Sequence, residues 1–314
     1  MTAPTVLAAT WRNGLFVGSG GAFHQELADQ PIRALAPDGN GGALAVVVGR
    51  SLRRRTAEGA WSTIATAESE LSCCVAVGAA IYVGTDDARV LRLRPKAMLE
   101  PLGGFDRVAG RDQWYAGTAL IDGRLVGPPL GVRSITATCD GAVLLANVHV
   151  GGIARSTDQG ATWRPTIEID ADVHQVCAHP ARSDIVIAAA AAGLCVSRDG
   201  GASWTIEQDG LHATHCSAVA FAGDDILVSA SEDPFSAHGA IYRRPLDGPG
   251  PLRLIGGGLP DWTEGRADTG CIAALASTVA AVDGAGNLYV SADSGRTWSC
   301  ASDRIPTASS LLLC

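Results

Sequence analysis

Three histidines, His149, His174 and His215, are the side chains here best suited to act together. Neutral imidazole is the commonest ligand of transition metals, so three converging rings would suit zinc, iron, manganese, copper or nickel. An open position on such an ion would activate water or polarise a carbonyl. Nearby segments carry Asp172, Glu232, Asp233, Glu264 and Asp268, which could orient ligands or act as general bases. We take Asp268 and Glu232 as candidate catalytic carboxylates. Arg133 is the candidate to hold an anionic substrate group. Arg107, Trp114, Tyr115 and Trp262 are candidate substrate contacts. The expected chemistry is that of a metal-dependent hydrolase or lyase acting on a small polar or anionic molecule. Each residue has a plainer alternative: His149 as a turn histidine, Arg133 as partner of a core carboxylate, the tryptophans as packing, Cys216 as a buried small residue.

Something must bring positions 149, 174 and 215 together, and composition narrows what. The 314 residues are 47% hydrophobic and 18% charged, with 38 glycines, as many short strands joined by tight turns require. A net charge of −8 argues against nucleic-acid binding, which needs a basic face. Arg53–Arg55 reads as a solvated strand edge. No apolar run is long enough to span a bilayer, and no secretory leader is visible, so we expect a cytoplasmic protein with no membrane partner. Nine cysteines without CxxC spacing read as free thiols in a reducing compartment. The motifs GxSxG, HExxH and the P-loop do not occur.

The organising feature is a repeat. STDQGATW (156–163), SRDGGASW (197–204) and SADSGRTW (291–298) share the pattern S-x-D-x-G-x-[ST]-W. Worn copies lie at 243–255, where Asp247 survives, and at 54–61. Strand-like runs flank each box, so the box is a hairpin turn whose carboxylate and hydroxyl bind turn amides and whose Trp packs between sheets. Two further strand runs precede each hairpin. Four strands in 40–47 residues make a β-propeller blade. The expectation is an all-β, single domain over 1–314, a seven-bladed propeller of four-stranded blades. Six blades span roughly 31–64, 70–102, 132–167, 173–208, 214–256 and 268–302. The seventh takes its inner strand from 309–314 and the others from the N-terminus, closing the ring. Six or eight blades would also accommodate the worn units.

These boxes resemble the Asp-box, or BNR, repeat of sialidases, sortilin-type receptors, xyloglucanases and photosystem assembly factors. The whole chain looks like the bacterial WD40/YVTN/BNR-like repeat propellers. The resemblance implies fold, not activity. A sialidase would need three arginines on one carboxylate and a Tyr–Glu nucleophile pair. Here the inner strands offer Arg133 and Arg33, and no Tyr has an obvious Glu partner.

The boxes occupy third-to-fourth-strand turns. The opposite face therefore carries the fourth-to-first connections and the second-to-third turns. His149, His174, His212, His215 and His238 map to that face; His24 and His179 do not. So do the insertion at about 103–131 and the loop at 256–270. Two alternatives stand beside the metal enzyme. One is a scaffold that binds a protein across this face. The other is a sialidase-like glycoside hydrolase using Asp268 and Glu232, which requires carboxylates about 5–10 Å apart.

Overall fold

A computed structural model describes residues 4–19, 21–117, 119–121, 124–127, 129–248 and 250–314. Seven four-stranded antiparallel blades form a propeller. Their innermost strands are Ile32–Pro37 in blade 1, Leu71–Val77 in blade 2, Val132–Ala137 in blade 3 and Val173–Ala178 in blade 4. His215–Ala222, Ile272–Leu275 and Ala308–Leu313 serve blades 5, 6 and 7. In blade 7 the C-terminal strand pairs with Val6–Thr10, followed outward by Leu15–Ser19 and Ala22–Glu26. The chain ends thus close the ring as the sequence predicts.

The second strand of a blade is covered on both faces by its neighbours, so it reads as an unbroken apolar run rather than an alternation. Ala43–Val47, Leu144–Val148 and Val186–Ala190 are buried at every residue.

The three boxes share one bonding scheme. In the first, Ser156 Oγ donates to Asp158 Oδ1 at 2.8 Å and accepts from Gly160 N at 2.9 Å. Asp158 accepts from the amide and hydroxyl of Thr162 at 2.9 and 2.6 Å. Those Thr162 bonds hold the carboxyl at about 2. Every box then leans on the preceding blade or on the segment that leads from it. Trp163 meets Phe105 edge-to-face at 5.1 Å, Trp204 Nε1 donates to Thr166 Oγ1 at 3.1 Å, and Trp298 N donates to Gly257 O at 2.7 Å. The worn copies do other work. Asp247 pairs with Arg182 and Arg198 of blade 4 at 2.5 and 3.0 Å, and Trp61 Nε1 donates to Glu26 of blade 7 at 2.7 Å.

The insertion between blades 2 and 3 begins with two 3-10 turns, Phe105–Arg107 and Arg111–Gln113, and later forms a hairpin, Ala119–Ile121 with Arg124–Val126. Among the described residues no helix is long and apolar enough to cross a membrane. All nine cysteines are free thiols.

Candidate metal centre at the channel mouth

The blades admit polar side chains to the channel through a shared irregularity. At the second residue of the inner strand the pairing register shifts, leaving Arg33, Ser72, Arg133 and His174 without a cross-strand partner in blades 1 to 4. Blade 5 shifts across Ser217 and Ala218, and blade 7 at Ser309. Such β-bulges re-aim a side chain, and all six residues line one cavity of about 730 Å³ at this end of the channel. Gln159, in the first box, lines a separate cavity with the first-to-second-strand turns at the other end. The first box and the histidines His149, His174 and His215 therefore lie at opposite ends of the channel.

His149 follows the second strand of blade 3. Asp172 and His174 open blade 4 on either side of Val173. Asp172 adopts a left-handed conformation (φ 48°) as it ends the short turn Ile169–Ala171, and so directs the chain into the strand. His149 Nε2 stands 3.4 Å from Asp172 Oδ1, and His174 Nε2 stands 3.7 Å from Oδ2. One ligand atom from each residue lies within 4.8 Å of the others. Donors round a tetrahedral ion are about 3.4 Å apart, given bonds of about 2.0–2.1 Å, so a small inward movement would complete the set.

The hydrogen bonds fit a metal. His174 Nδ1 is 2.6 Å from the Cys216 carbonyl oxygen, which can only accept. In the neutral ring Nδ1 therefore carries the proton, and the Nε2 lone pair faces Asp172, as in metal-binding histidines with a second partner. Asp172 Oδ1 and His149 Nδ1 are buried without any hydrogen-bond partner among the described residues. Buried polar atoms are rarely left so. Burial, seconded by the charge of Arg133, pushes the His149 pKa down to about 4. Burial works to raise that of Asp172, but His174, His149 and Arg133 outweigh it and hold the carboxyl below its ordinary value.

The other candidates fall in several places. His215 occupies in blade 5 the position of Asp172 in blade 4. It lines the cavity with its ring 4.6 Å from that of His174, outside the His149–Asp172–His174 group. Arg133 and Asp268 also line the cavity, 3.6 Å apart, and Asp268 is shared with Arg266 at 3.2 Å. Glu232, the other carboxylate of the glycosidase alternative, is exposed on a turn and is not among the lining residues. Trp114 is buried, against Phe105 and beneath the Arg111 guanidinium, and is thus packing rather than lining. Arg107 and Tyr115 are exposed on the insertion. Trp262 is exposed, edge-on to His212 at 4.8 Å. The Cys216 thiol is fully buried and pushed up to about 12 by that burial, so Cys216 contributes its carbonyl and not a nucleophile.

Sequence reasoning passed over Asp86, Arg266, Thr269 and Gly117. Asp86 takes both nitrogens of the Arg33 fork. Thr269 accepts from Arg133 Nη2 at 3.0 Å. Gly117, on the insertion, lies so close to His149 that a Cβ there would fall 1.6 Å from the ring. Asp86 had a signal: it stands just after the second strand of its blade, where His149 stands in its own.

No described protein family and no curated protein matches the sequence. Solved structures share the fold. An ancestral GH74 enzyme superposes with a TM-score of 0.63 at 12% identity, over 100% of this chain and 40% of that one. YCF48 bound to D1 peptide gives 0.56 at 13%, over 96% and 86%. The WD40 propeller domain of Doa1 gives 0.60 at 11%, over 86% and 82%. At these identities the likeness is one of fold alone.

Proposed function

We propose that this propeller is a metal-dependent enzyme of hydrolase or lyase type, working on a small polar or anionic molecule at the channel mouth. The observation that carries the reading is the His149–Asp172–His174 group, with the His174 tautomer fixed and the buried Asp172 Oδ1 left without a hydrogen-bond partner. His149, Asp172 and His174 would hold a divalent transition metal (zinc, iron, manganese, copper or nickel), and His215 would face it from blade 5. Such an ion supplies Lewis acidity toward a carbonyl or a bound water. Arg133 orients the substrate, Asp268 keeps Arg133 in place, and the insertion limits access of water. The chemistry of the repeats supports placing the chain with Asp-box propellers. The free thiols support a reducing, cytoplasmic setting.

A second reading, a protein-binding scaffold, draws on exposed aromatic residues: Trp11 and Phe235 at the cavity, and Trp262 and Tyr115 beyond it. A panel of small esters, phosphoesters and hydroxy acids, assayed with and without dipicolinate, separates the two. The enzyme reading expects chelator-sensitive turnover that disappears in His149→Ala. Turnover indifferent to chelation and to His149→Ala would overturn it. So would a protein partner held equally well by wild type and variant in the absence of any turnover.

A further inference from the structure

The cavity has a charge pattern that narrows its occupant. Among the described residues its formally charged lining is three guanidinium groups, Arg33, Arg133 and Arg266, and three carboxylates, Asp86, Asp172 and Asp268. These charges balance. A divalent ion on the His149–Asp172–His174 group would leave the cavity with two uncompensated positive charges. A low-dielectric concave site favours an occupant that cancels them.

The arginines are not equally available. Arg33 spends both ends of its fork on Asp86. Arg266 is tied to the Pro234 carbonyl and to Asp268. Arg133 donates only Nη2, to Thr269 Oγ1 at 3.0 Å, and its approach to Asp268 is loose at 3.6 Å. Among the described residues its Nη1 and Nε have no acceptor. Arg133 lines the cavity, and Nη2 keeps a second hydrogen beyond the one given to Thr269; with the hydrogen of Nε or Nη1 beside it, this forms a vacant edge of the kind that grips a carboxylate with two parallel bonds. Arg133 lines the same cavity as the His149–Asp172–His174 group and stands 3.6 Å from Asp268.

We infer that the substrate is a small dicarboxylate-type dianion, one anionic group directed to the His149–Asp172–His174 group and the other held by the free edge of Arg133. This rests on the proposed metal site and specifies its substrate class. Preference for a dianion would then be set by Arg133, a substrate-binding residue distinct from the metal ligands.

The test is calorimetric titration of zinc-loaded protein with malonate, acetate and inorganic phosphate at pH 7. Zinc content is measured on the same samples. We expect malonate to bind at least tenfold more tightly than acetate or phosphate. We expect Arg133→Gln to weaken malonate tenfold or more while acetate changes less than threefold and zinc stays at one per chain. Arg133→Lys should recover only part of the loss, because an ammonium keeps the charge without the fork. Equal affinity of wild type for malonate and acetate, or phosphate as tight as malonate, would overturn the inference, and neither result depends on a variant folding. A chain that binds zinc without preferring malonate overturns this inference alone. One that takes up no zinc overturns the proposed function and this inference with it.

Discussion

At His174 one ring nitrogen is committed to a backbone carbonyl and the other is left facing a carboxylate and a second imidazole. That division of labour separates a ligand from a merely buried histidine. His179 shows the contrast: its Nδ1 accepts from the amides of Ala181 and Arg182, both at 3.1 Å, so in the neutral ring the proton sits on Nε2, toward Asp224 at 3.3 Å, and no lone pair is left for an ion. Two predictions belong at this scale. Gly117→Ala should weaken metal binding tenfold or more, because the new methyl group would displace the His149 ring, while changing the melting temperature little. Competition with a chromophoric chelator measures it, and unchanged affinity would remove the insertion from the site. Asp172→Ala should lose the metal as completely as His174→Ala, whereas His215→Ala should retain it, since His215 lies outside the group. The histidines were legible in the sequence because residue type and face could be read together. Their exact grouping was not, since a bulge of one residue decides which side chain enters the channel and leaves no compositional trace.

At the scale of the element, the box turns and the loops near the histidines divide structural from chemical work within each blade. A box Trp ties its blade to the one before, and its removal exposes that seam. Trp163→Ala should cost about 3–5 kcal/mol of stability, as expected for deleting a buried aromatic side chain. Trp262→Ala should cost under about 0.5 kcal/mol, because that ring is half exposed. Denaturant titration of the two variants checks the contrast, and equal losses would deny the boxes their tying role. The three intact boxes announced their turns because each residue type has one task in the bonding scheme. The worn copies kept the position and changed the partner: Asp247 reaches across to blade 4 instead of capping its own turn, which no local pattern encodes.

For the whole molecule the vulnerable point is the closure, where blade 7 meets blade 1 across residues far apart in the chain. Ser309 Oγ donates to the Ile32 carbonyl at the inner edge. At the outer edge Glu26 accepts from Arg55 and from Trp61. Burial works to raise the Glu26 pKa, but those hydrogen bonds and the guanidinium charge outweigh it and hold it at about 2 against an ordinary 4.5. A carboxyl whose pKa is lowered on folding contributes stability in full above its unfolded value and loses it as pH falls toward the folded one. Acidification from pH 4.5 to 2 should therefore remove about 1–2 kcal/mol through this group, allowing for solvent screening. Glu26→Gln should flatten the melting temperature against pH over that window, and an unchanged slope would show that the closure does not depend on the pair. Ring closure was legible because the C-terminal run SSLLLC has no partner except the N-terminal strands. The clamp was not, because Glu26 and Arg55 belong to different blades and different local patterns.

The central claim is that the channel mouth holds a metal on His149, Asp172 and His174. Elemental analysis of untagged protein after metal-replete growth, wild type beside His174→Ala, tests it most directly. The wild type should carry about one transition-metal ion per chain and the variant none. No metal in either, or equal metal in both, would contradict it.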